Sequence, residues 1–145
     1  MTYPDELLKI FTVTSLVAIT INDKFKGEEF TTNDIYDYIY NYNKPTIINT
    51  RSALTRFYQN NKLTRDGKRD ILFKSVVETV PISDSDVIMS MVYDKIRKSG
   101  SQDLYIFKQS RFMTLSRIKL AIEKLLEHKL IFKRDGLFYP NKQIV

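Results

Sequence analysis

Apolar residues recur at helical spacing in several stretches of the chain, and after two of them the period shortens from helix to strand. Between residues 114 and 128, Leu115, Ile118, Ala121, Ile122, Leu125 and Leu126 fall on one face of a helix of about four turns, with Thr114 placed to cap it. A matching helix is expected over 46–60, where Ile47, Ile48, Leu54, Phe57 and Tyr58 form the apolar face and Thr46 is the cap. Before it, residues 32–42 carry Ile35, Tyr38, Ile39 and Tyr42 on one face. Thr31 or Thr32 starts that helix, and Asn43-Lys44-Pro45 breaks it. Residues 5–25 supply the first helix, with Leu7, Leu8, Phe11, Ala18, Ile21 and Phe25 near helical spacing, although the β-branched run from Thr12 to Ile21 weakens it. Further on, residues 84–99 present Val87, Ile88, Met91, Val92 and Ile96, and Gly100 is the expected stop. The aromatic stretch 103–113 reads as a short helix or a strand.

The two long helices precede similar sequences. Asn61-Lys62-Leu63-Thr64-Arg65-Asp66-Gly67 matches His128-Lys129-Leu130-Ile131-Phe132-Lys133-Arg134-Asp135-Gly136, each leaving a helix at Lys-Leu and turning at Arg-Asp-Gly. Asp-Gly between short alternating runs signals a hairpin, because glycine accepts the positive φ of a tight turn. In the first copy residues 63–65 are expected to pair with 68–73. In the second, residues 130–133 face 137–139, Pro140 stops the strand, and two extra residues before the turn predict a bulge or a longer loop. Phe30 is a candidate for a short additional strand. The order of three helices and a hairpin thus occurs twice. The fold class is α+β, mainly α with short β-hairpins, with one unit over 1–75, a short linker at 76–83 containing Pro81, and a second unit over 84–145.

A chain of 145 residues has little material for a deep catalytic pocket, and its 43% hydrophobic and 28% charged residues describe a globular, water-soluble protein. It has no cysteine and one histidine, His128, which excludes disulfides, thiolate zinc sites and thiol nucleophiles. Four glycines form no phosphate loop or nucleophile elbow. No enzyme, metal site or cofactor is expected. Asp34 and Asp37 read as solvent-facing acids and His128 as a helix-end residue, and in the series Tyr36, Tyr38, Tyr40 and Tyr42 the helical spacing makes Tyr38 and Tyr42 core or helix-packing residues in preference to a stacking platform. No stretch is apolar enough for a membrane span, and the acidic start Asp5-Glu6 is unlike a secretory signal, so a cytoplasmic location is expected. Heavy use of isoleucine, lysine and tyrosine points to an AT-rich genome, as in low-GC bacteria, their plasmids and phages.

The net charge of +6 is unevenly placed. Residues 44–74 hold eight basic and two acidic side chains, and residues 105–145 hold nine and three, while the rest of the chain is acidic. One charged run is usually a solvated face. Two runs at corresponding points of a repeat point to a polyanionic partner.

With its Thr-x-x-x-x-Arg-x-x-Leu helix, its Lys-Leu exit and its basic Asp-Gly hairpin, the chain resembles the winged helix-turn-helix family, as two units in tandem with the hairpins as wings. The resemblance implies that the helix before each hairpin enters the major groove of double-stranded DNA and that the wing touches phosphate. It places Asn49, Arg51, Ser52, Thr55, Arg56 and Gln59 on the first recognition helix, flanked by Lys44. On the second it places Ser116, Arg117, Lys119 and Glu123, flanked by Arg111. The wings offer Arg65, Lys68 and Arg69, and Lys133 and Arg134. Arginine contacts guanine, asparagine and glutamine contact adenine, and wing cations neutralise phosphate. Aligned on the Lys-Leu pairs, Ile118 stands where Arg51 stands, which implies an asymmetric site, with one chain acting as an internal dimer in transcription or replication control. Tandem winged helices also serve as protein-interaction modules in chromosome-condensation and membrane-sorting complexes, so a protein partner is the alternative.

Overall fold

The computed structural model describes residues 3–42, 45–99 and 111–141. The chain divides into two compact units, Leu8–Ser83 and a second made of Met1–Leu7 with Asp84–Val145. The first seven residues therefore belong with the second unit. Both units combine helices with small antiparallel sheets, an α+β, winged-helix-like architecture.

In place of one helix over 5–25 there are two, α1 (Asp5–Leu8) and α2 (Val13–Lys24). Thr12 provides the break: its extended backbone (φ −65°, ψ 156°) and side-chain oxygen cap α2 by accepting from the Ser15 N–H at 3.3 Å. A hydroxyl ahead of the β-branched run thus outcompetes helix continuation. In the first unit, β1 (Glu29–Phe30) leads to α3 (Thr32–Ile39), α4 (Ile47–Gln59) and the hairpin β2 (Leu63–Asp66) and β3 (Leu72–Ser75). The sheet order is β1-β3-β2, with Phe30 opposite Phe73 and their rings stacked at 6.1 Å between centroids. Leu16, Val17, Ala18, Ile21, Phe30, Ile35, Ile39, Leu54 and Phe73 form the core.

α3 stops at Ile39, so Tyr42 lies beyond the helix, and Tyr38 is half exposed, its ring edge against Phe25 at 5.8 Å. Neither tyrosine belongs to the core. The segment 76–83 is tied to α2: the Val80 N–H donates to Asn22 Oδ1 and Asn22 Nδ2 donates to the Val80 carbonyl, each at 2.9 Å, while Val80 is fully buried. It packs as part of the first unit.

The second unit contains α5 (Asp84–Ser99), α6 (Leu115–Glu127), β4 (Ile131–Arg134) and β5 (Leu137–Pro140), around Ile88, Met89, Val92, Ile96, Ile118, Ile122, Leu125 and Phe138. Gly100 and most of the 103–113 stretch lie outside the described residues. Leu7 of α1 is buried, and Glu6 Oε1 accepts a 3.0 Å hydrogen bond from the Tyr93 hydroxyl on α5. Burial, then that bond and the Glu6 charge, push the Tyr93 phenol from 10.0 up to about 12, with Arg97 acting in the opposite direction. A phenol whose folded pKa is raised stabilises the fold below pH 10 and loses that contribution as pH rises through about 12. Thermal unfolding between pH 9 and 12 should therefore fall more steeply for the native protein than for Tyr93→Phe. Parallel curves would show that the phenol does not titrate with folding.

Candidate nucleic-acid interface

The two hairpins reverse the sequence expectation. In the second, Arg134 pairs with Leu137 across a two-residue turn in which Asp135 (φ 53°) and Gly136 (φ 79°) both have positive φ, as a type I′ turn requires. In the first, Asp66 pairs with Leu72, and residues 67–71 form a longer loop. Only Gly67 there has positive φ (94°), and a Cβ on it would sit 2.5 Å from the Asp70 carbonyl oxygen, so no other residue fits. This loop carries Lys68 and Arg69 into solvent.

The internal repeat also takes a different register. The caps of α4 and α6, Thr46 and Thr114, are 68 positions apart, and so are the C-caps Asn60 and His128. Each helix ends in the same motif. The Lys62 N–H returns to the Phe57 carbonyl and the Asn61 N–H to that of Tyr58, just as Leu130 returns to Leu125 and Lys129 to Leu126. Asn61 and Lys129 both have φ 61°. The buried positions coincide as well: Thr50, Ala53, Leu54 and Phe57 correspond to Ile118, Ala121, Ile122 and Leu125. Aligning the Lys-Leu pairs is one residue out. Arg51 corresponds to Lys119, and Ile118 to the buried Thr50.

With about 100° per residue, the outward face of α4 can be assigned. Ile48, Ser52, Thr55 and Gln59 lie within an arc of roughly 60° opposite the buried line, and Arg51 and Arg56 stand about 70° to either side. The result is a central stripe bounded by two arginines, on a helix without a single acidic residue. Ile48, expected in the core, is instead 67% exposed, and Tyr58 is also exposed. Thr55 is half-buried, while Ser52 and Gln59 are open to solvent. Asn49 is drawn into the helix start: its Oδ1 accepts from the Thr46 N–H at 3.4 Å, completing a capping box, and from the Thr46 hydroxyl at 2.6 Å. Arg56 Nη2 donates to the Thr14 hydroxyl at 2.9 Å, which holds the guanidinium at one edge of the stripe. On the wing, the Arg65 guanidinium carbon sits 5.9 Å from the Tyr58 ring centroid, an exposed cation–π contact joining wing to helix. The structure thus collects Arg51, Ser52, Thr55, Arg56, Gln59, Arg65, Lys68 and Arg69 on α4 and its wing. Lys44 lies outside the described residues.

The equivalent face of α6 has different chemistry. Its central stripe is Ser116, Leu120, Glu123 and Glu127, bounded by Lys119 and Lys124. Leu120 is 64% exposed, and its surroundings open into a groove of about 550 Å³ whose lining includes Ile88, Met89, Ala121, Asp84, Glu123 and Glu127. Arg117 is turned away along the chain, donating to the Phe112 carbonyl at 3.2 Å with its guanidinium carbon 5.7 Å from the Phe112 ring centroid. Ser116 bonds Thr114 at 3.3 Å, and Arg111 is exposed at a bend. Lys133 and Arg134 are exposed on β4, Lys133 with its Nζ 5.7 Å from the Phe138 ring centroid. Two carboxylates at the centre of this face oppose a polyanion where α4 presents neutral polar groups. Ile48 and Leu120 both fall out of phase with the buried positions of their helices, a signal legible in the sequence once the phase is set by Thr50 and Ile118.

Among the described residues no cluster of histidines and carboxylates could hold a metal ion, and no helix is long and apolar enough to cross a membrane. No family model and no curated protein matches the chain. Among solved structures it is similar to a chain of the "Structure of the ESCRT-II endosomal trafficking complex", at 18% identity over 94% of this chain and 90% of that one, with a TM-score of 0.34.

Proposed function

We propose that this is a sequence-specific binding protein for double-stranded DNA, a tandem winged-helix regulator of transcription or replication, and that its first unit is the reader. The observation that carries this is the outward face of α4: an uncharged stripe of Ser52, Thr55 and Gln59 with Ile48 at its start, between Arg51 and Arg56, without acids, continuous with the cationic wing. Laid in a major groove, the stripe presents Ser52, Thr55 and Gln59 to base edges. The two arginines reach the phosphates on either side, and Arg65, Lys68 and Arg69 neutralise flanking phosphates without reading sequence. Asn49, committed to the helix cap, supports the fold of the reading helix in preference to contacting adenine.

A second reading applies to the second unit alone. Exposed Leu120, followed along the same stripe by Glu123 and Glu127, is suited to a protein surface, so the DNA site has one specified half and is not a palindrome. The experiment is selection of 20-base-pair duplexes from a random pool on the full chain. Enrichment of a single asymmetric consensus is expected. A pool that stays random at low salt would overturn DNA reading, and a perfect palindrome would mean that two chains each read one half-site with α4, leaving the second unit as a dimerisation surface.

A further inference from the structure

The central stripe of α4 has one member that hydrogen bonding cannot explain. Ile48 occupies the first turn of the helix, 67% exposed, on the same line as Ser52, Thr55 and Gln59. An isoleucine there gains nothing from the fold: it is turned from the core formed by Leu54 and Phe57, and its β-branched side chain is a poorer helix former than alanine. The position is nevertheless well defined, because the Thr46 capping box fixes the first turn, with the Asn49 N–H donating to Thr46 Oγ1 at 3.0 Å. Here a rigid helix start displays a branched aliphatic side chain, flanked by Arg51 and Asn49.

We infer that Ile48 is a specificity residue that packs on the C5-methyl group of a thymine. The inference rests on the proposed reading of DNA by α4. In the major groove only thymine presents a methyl group, and an apolar side chain is the partner that recognises it. The N-terminal residues of a recognition helix approach base edges most closely, which is where Ile48 stands. A hydroxyl or amide could serve several bases at this place, whereas an aliphatic group leaves the donors and acceptors of other bases unpartnered. The preference it produces is therefore for thymine at one position, next to the base pair faced by Ser52. The same position in α6 is Ser116, so this element of specificity belongs to the first unit.

The test uses the duplex recovered by selection, with each thymine replaced in turn by deoxyuridine, which removes the C5-methyl and leaves the pairing edge unchanged. For the native chain one replacement should weaken binding about fourfold, the effect of one buried methyl group, and the others should have no effect. In Ile48→Ala that replacement should make no difference, and in Ile48→Val the discrimination should persist in part. Ile48 is exposed, so both variants should keep the native melting temperature, which circular dichroism verifies. A selected duplex bound equally well with thymine or deoxyuridine everywhere overturns the assignment of Ile48 while leaving DNA reading intact. Equal discrimination by Ile48→Ala overturns it too. If no duplex is enriched at all, DNA reading itself falls, and this inference with it.

Discussion

Replacing Arg51 and Arg56 together by glutamate should weaken binding to the selected duplex by about a hundredfold or more. A hydrogen bond to a charged group is worth on the order of 1.5 to 3 kcal/mol, and a carboxylate in place of each arginine adds repulsion from the phosphates. The two residues border opposite edges of the α4 stripe, so the substitution would remove both proposed phosphate contacts of this helix at once. Lys119→Glu with Lys124→Glu makes the same change in net charge at the equivalent positions of α6 and should cost less than about tenfold. Equilibrium anisotropy titrations with one labelled duplex compare the pairs directly. Similar losses from both would show that the protein binds through its overall charge and that α4 has no special part. Both arginines are exposed, and Arg56 loses only its bond to Thr14, so unfolding should not intrude.

Leu54→Ala should destabilise the first unit by about 3 to 5 kcal/mol. Leu54 is fully buried on the inner line of α4, and truncation there leaves a cavity against a small core that cannot collapse far. A unit of this size has a total stability of roughly 4 to 11 kcal/mol, so about a quarter or more of it is lost. Duplex binding should fall with it, as α4 loses its seat. Urea unfolding of the native and variant chains measures the change. A loss below about 1 kcal/mol would mean that the side chain is not packed as described.

Much of the fold was legible because its signals are local. Thr46 and Thr114 are caps in sequence and in space, and the buried faces of α4 and α6 follow the 3.6-residue period. The failures have physical causes. Arg-Asp-Gly occurs in both hairpins, but Gly136 is followed at once by Leu137 and Phe138, whose alternation restarts the strand. Gly67 is followed by Lys68, Arg69 and Asp70, which have no apolar side to bury, so the loop lengthens until Leu72 and Phe73. Lys-Leu recurs by composition and gives a register one residue out, whereas the structure aligns backbone geometry: the left-handed residues Asn61 and Lys129. Ile48 is apolar like the core residues of α4, but its phase places it outside. The cationic residues of the candidate site were visible as a charge block, but their arrangement as two borders around a neutral stripe required the phase of α4.

The most direct measurement is the affinity of the native chain for the selected duplex as salt rises from 50 to 200 mM. Arg51, Arg56 and the wing cations Arg65, Lys68 and Arg69 together should displace counterions from about five phosphates, giving a log–log slope of roughly −4 or steeper. Arg51→Glu with Arg56→Glu should flatten that slope by about two. A slope near zero, or a slope unchanged by the double substitution, would contradict DNA binding through the α4 face.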